Sequence, residues 1–128
     1  MPAPRKKISY QEFLHREYEF FRAPLAPEMD FYETIRSGNL RKVRSLLTEP
    51  FHSKKGLGIL SDDTLQNLKY HFTITTALVA RFCISGGLAQ AEAYSLSDYY
   101  IRLADEAATP EEISEISSGV CASSAIRI

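Results

Sequence analysis

The feature that most constrains this chain is one uninterrupted run in which Leu65, Leu68, Phe72, Thr75, Val79 and Phe82 recur at alternating spacings of three and four. That is the period of an α-helix. Ser61 or Asp62 stands where a side chain can cap its start by accepting backbone amides. Gly86-Gly87 stands where glycine's access to the left-handed conformation can close its end. From Leu65 to Ser85 such a helix is roughly 30 Å long, the width of a small domain. Tyr70, Ile74, Ala77, Leu78 and Ile84 point in further directions, so the helix is apolar over more than one stripe, which predicts burial among several neighbours.

The rest of the chain supplies neighbours of the same kind. Tyr10, Phe13, Leu14, Glu17, Tyr18 and Phe21 space a first helix from Ile8 to about Phe21. Pro24 and Pro27 then bracket a stiff elbow, because proline lacks an amide donor and restricts the residue before it. A helix from Pro27 through Arg36 and a short one carrying Leu40, Val43, Leu46 and Leu47 form a hairpin about Ser37-Gly38-Asn39. This unit is similar to one ankyrin repeat, but no second copy follows. Residues 50–60, with Gly56 and Gly58, read as a loop.

After the double glycine, Leu88 to Ala93 predicts a short helix, and Ser95 or Ser97 can cap another that ends near Ala107. Thr109-Pro110-Glu111-Glu112 then combines a threonine cap, a proline in the first turn and a glutamate three residues after the cap, which starts a last helix. No strand-like alternation with hairpin turns occurs. The expected class is all-α, a bundle of about five to seven helices around one long central helix.

At 128 residues the chain suits one domain able to bury a core without disulfides or structural metal. Residues 1–116 are expected to form it. Residues 117–128, Ser-Ser-Gly-Val-Cys-Ala-Ser-Ser-Ala-Ile-Arg-Ile, lose both charge and period and read as a poorly specified tail. A net charge of −1 provides no global field to draw the chain onto nucleic acid or an anionic membrane. Cys83 and Cys121 lie far apart in unlike contexts, with neither zinc spacing nor a disulfide framework. The amino terminus is basic but has no apolar run behind it, and the most apolar stretch, Ile74 to Ile84, is interrupted by Arg81 and too short to span a bilayer. A cytoplasmic location without membrane association is expected.

Few side chains carry chemistry. His15, His52 and His71 have no second ligand at helical spacing, so no metal is expected. Gly56-Leu57-Gly58 lacks the third glycine and the lysine of a phosphate loop. No nucleophile elbow exists, and Cys83 lies within an apolar run where a thiol is usually inert packing. Neither a cofactor nor catalysis is expected.

The polar residues of the long helix are the candidates for a pocket or interface: Asn67 and His71, four apart and in line with Thr75, and Arg81 between Ala80 and Phe82. A hydrogen-bonded core histidine is the commoner case, and an arginine in such a place is more often paired with a buried acid than snorkelling outward or lining a pocket. Arg41, Lys42 and Arg44, with Arg5-Lys6-Lys7, are the basic groups that could meet nucleic acid. A solvated outer face explains them more simply.

One resemblance extends this reading. Leu65 to Arg102 contains Leu-Gln-Asn-Leu-Lys-Tyr-His-Phe, then Ala-Leu-Val-Ala-Arg-Phe-Cys-Ile-Ser-Gly-Gly-Leu, then Ala-Tyr-Ser-Leu-Ser-Asp-Tyr-Tyr-Ile. This stretch resembles the amino-terminal helical region of AraC-type transcriptional regulators from Firmicutes. Tyr18-Glu19-Phe20-Phe21, Arg36-Ser37-Gly38-Asn39-Leu40 and Gly58-Ile59-Leu60-Ser61 share in it. The resemblance implies a non-catalytic effector-binding or dimerisation domain that precedes a pair of helix-turn-helix motifs.

No such motif occurs in these residues, and after Glu115 the charged helix expected of the family gives way to small residues. A truncated, frame-changed or deliberately cut regulator is the expectation, with DNA reached only through the absent half. Its expected partners are a second copy or a related regulator, with a small-molecule effector as the other route. A free-standing helical protein-interaction module is the alternative.

Overall fold

A computed structural model describes residue 8, residues 25–47, 50–51 and 57–128. The described residues are all-helical and contain no strand. They form α1 (Leu25–Arg36), α2 (Leu40–Leu46), α3 (Thr64–Ser85), α4 (Gln90–Glu106) and α5 (Pro110–Arg127). The expected first helix, Ile8 to about Phe21, lies outside the described residues apart from Ile8. No described helix is long and apolar enough to cross a membrane.

The long apolar run folds as α3, with Phe72 and Val79 fully buried. Asp63, rather than Ser61 or Asp62, is its cap and accepts from the Gln66 amide at 2.8 Å. Ser61 serves one step earlier, its hydroxyl accepting from the Asp63 amide. At the other end the Gly86 amide donates to the Phe82 and Cys83 carbonyls. Gly87, at φ +109°, takes the left-handed turn that a side chain would oppose.

The hairpin of α1 and α2 turns at Gly38, φ +72°. Asn39 caps α2 by accepting from the Lys42 amide at 3.1 Å. Leu25, Ala26 and Pro27 lie inside the first turn of α1 rather than in an elbow, since early helical positions do not need the amide that proline lacks.

Tyr32 stacks on Phe82, with ring centroids 5.3 Å apart, and Gly86 lies against Arg36. Both numberings rise together across these contacts, so α1 and α3 run the same way. Lys69 meets the Asp105 carbonyl while Arg81 meets Tyr94, so α3 and α4 run antiparallel.

Two expectations about the last third differ from the structure. A short helix over 88–93 and a second one capped by Ser95 or Ser97 are instead one helix, α4. Its N-cap position is Ala89, with no side-chain cap, and Ser97 is buried in its interior. The serines read as caps because serine favours helix starts, but a small side chain facing a neighbouring helix is equally satisfied by close packing.

Residues 117–127, expected as a poorly specified tail, continue α5 to Arg127. Ser117, Val120, Cys121, Ser124 and Ala125 are all buried, and α5 packs against each of the other four described helices. Its start has the expected threonine cap, while the glutamate reaches back to the amide one residue before the cap rather than to that of Thr109. The Glu112 amide donates to Thr109 Oγ1 at 3.2 Å, and the Ala108 amide donates to Glu112 Oε2 at 3.2 Å.

Candidate functional site

The polar positions of α3 fall into two groups. Asn67 and His71, one turn apart, both reach the chain segment that leads into the helix. Asn67 Oδ1 accepts from the amides of Leu60 and Ser61 at 2.6 and 3.1 Å, and its Nδ2 donates to the Gly58 carbonyl at 3.3 Å. His71 Nε2 binds the same Gly58 carbonyl at 2.5 Å. A carbonyl only accepts, so that ring nitrogen carries the proton.

His71 is 3% exposed. Satisfying a buried imidazole and folding residues 58–61 onto the helix are therefore accomplished by the same bond. The three hydrogen bonds of Asn67 go to the protein's own backbone. The pair forms a staple, and the next position in line, Thr75, turns toward α1 and hydrogen-bonds Tyr32. Burial pushes the Tyr32 phenol up to about 12, with the Thr75 bond opposing that shift and the nearby Glu28 charge adding to it.

Arg81 differs from what its setting in the sequence suggests. It is exposed, with no acid against it among the described residues. Its Nη1 donates to the Ala77 carbonyl at 2.9 Å and the guanidinium lies 5.7 Å from the centroid of the Tyr94 ring. The expected pairing with a buried acid is therefore replaced by snorkelling and a cation–π contact. Fourteen residues of helical rise, about 21 Å, separate it from Asn67. The structure thus brings Asn67 and His71 together and leaves Arg81 apart.

Arg41, Lys42 and Arg44 are exposed around the buried Val43. That is the arrangement of a solvated helix face. Among the described residues no group of three or more His, Cys, Asp or Glu is placed to hold a metal ion.

The apolar breadth of α3 predicts Tyr70 and Ile74 among neighbours, yet they are 47% and 44% exposed. With Arg81 they follow each other at steps of four and seven, which puts them on one side of α3. Tyr94 of α4, also exposed, joins this side through Arg81. The spacing from Tyr70 to Arg81 was the available signal, because a charge at the end of an apolar row marks the row that faces water.

Inside the molecule, Thr76, Val79, Ala80, Cys83, Leu88, Ala93, Leu96, Ser97, Val120 and Ser124 line a cavity of about 10 Å³ where α3, α4 and α5 meet. Burial raises the Cys83 thiol, and its bond with Ser124 opposes the shift. Comparison of the chain with protein-family models, with curated proteins and with solved structures finds no match.

Proposed function

We propose that this chain is a non-catalytic association domain of the kind that precedes the DNA-binding half in AraC-type regulators, a helical bundle ordered around α3. It works by pairing with a second copy of itself, or with a related regulator, across the side of α3 that carries Tyr70, Ile74 and Arg81. The observation that carries this reading is the exposed row itself. Large apolar and aromatic side chains beside an arginine are the composition enriched at the centres of protein interfaces.

The order around α3 is supported by its packing against α1, α4 and α5. The cavity where α3, α4 and α5 meet, of about 10 Å³, is far smaller than the ~300–1,000 Å³ typical of ligand pockets and is not itself an effector site.

The test is sedimentation of the wild-type chain across a wide concentration range beside the double variant Tyr70→Ser, Ile74→Lys. Both side chains are exposed, so the variant is expected to keep its helical circular dichroism while losing association. A wild-type chain that stays strictly monomeric at high concentration overturns the self-pairing.

A further inference from the structure

The cavity between α3, α4 and α5 contains an unexplained polar atom. Thr76 is 1% exposed, and among the described residues its hydroxyl has no hydrogen-bond partner. A threonine within a helix ordinarily satisfies itself by donating to the carbonyl four residues earlier. Thr34 and Thr73 do so here, to Asp30 and Lys69, each at 2.8 Å. Thr76 does not. It lines a cavity of about 10 Å³ whose other polar lining groups are Ser97 of α4, Cys83 of α3 and Ser124 of α5.

A space of that size holds about one water, and a buried water is retained where two to four polar groups surround it. An unpaired buried hydroxyl is unfavourable by comparison, because its desolvation is not offset. We infer that this cavity is a binding site for a single ordered water, which accepts from or donates to the Thr76 hydroxyl and links α3 to the serines of α4 and α5. The site is too small for an organic ligand, and its lining has the mixed polarity that separates wet cavities from dry apolar ones.

The site is tested on the intact chain by oxygen-17 relaxation dispersion of the solvent, which counts long-lived internal waters, and by thermal melting. The wild type is compared with Thr76→Val, which keeps the shape but removes the hydroxyl, and with Thr76→Ser, which keeps the hydroxyl. The expected result is one fewer long-lived water and a lower melting temperature in Thr76→Val, with the water count preserved in Thr76→Ser. Two results from the comparison with Thr76→Val overturn the inference. One is an equal water count in wild type and Thr76→Val. The other is a Thr76→Val protein that melts above wild type, as removal of a dry, unpaired hydroxyl would produce. The wild-type count stands alone should a variant fail to fold, since a wild-type chain with no long-lived water also overturns it.

Discussion

At its amino-terminal end α3 is held by side chains that reach outward, whereas at its carboxy-terminal end it is held by the lack of one. Asn67 and His71 gather the backbone of residues 58–61 with four hydrogen bonds. Gly86 instead lets the end of α1 come so close that an added Cβ would lie 2.5 Å from the Arg36 carbonyl oxygen. The first fastening is a set of directional bonds that water can partly replace. The second is a steric fit between two backbones, which nothing replaces. The two ends should therefore fail differently when perturbed.

The largest effect is expected at the close approach. In Gly86→Ala the methyl group must push α1 from α3, with a loss of about 3 kcal/mol of stability. Chemical denaturation checks this, and a loss no larger than that of an exposed substitution would remove the steric half of the contrast.

Alkali should also act on the α1 side, through Tyr32. Its folded phenol titrates at about 12 against 10.0 for an ordinary tyrosine. Below pH 10 both states hold the proton and Tyr32 adds no pH dependence. Between 10 and 12 the unfolded state has released a proton that the folded state keeps, so stability falls as pH rises, by of order 2 kcal/mol across the window. Denaturation profiles of wild type and Tyr32→Phe should diverge there, the variant showing the shallower fall.

At the polar end, Asn67→Ala frees the Leu60 and Ser61 amides near solvent and is expected to remove about 1.5 kcal/mol. Because Asn67 and His71 share the Gly58 carbonyl, a double-mutant cycle with His71→Leu should show coupling of about 0.5 kcal/mol or more. Additive losses would mean that the two side chains do not form one staple. The smallest change is expected for Arg81→Ala. An exposed cation–π contact is worth about 0.5 kcal/mol, so a loss of several times that amount would show a buried role that the structure does not give it.

How far such differences can be read in advance depends on what marks them. The start of α5 was legible because Thr109, Pro110 and Glu112 each act within one turn of chain. The span of α3 was legible because both its period and its terminal glycines are local. The buried half of α5 was not. Ser117, Cys121, Ser124 and Ala125 are buried because they are small enough to lie against other helices, and hydropathy patterns do not register size.

The same blindness hid the continuity of α4 through Ser97. At the candidate site, Asn67 and His71 stood out as polar residues in an apolar run, but whether they meet a ligand or the backbone at Gly58 depends on a loop with no period of its own. The exposure of Arg81 is hidden from the sequence for a related reason. Its neighbours in sequence, Ala80 and Phe82, point to other sides of the helix, so the apolar context of the run said little about the side that Arg81 occupies.

The packing of α5 against all four other described helices also sets the order of events during synthesis. Residues 25–106 leave the ribosome first, with the surfaces that will receive α5 still open to water. These include the close-packed seam where Tyr100 meets Gly119 and its hydroxyl bonds Ser123. Until residues 110–127 emerge, the nascent chain is a set of helices without their common contact. The packing among the described helices is completed only when this segment is made, and pausing in translation before that point prolongs the interval in which chaperones or aggregation partners have access to it.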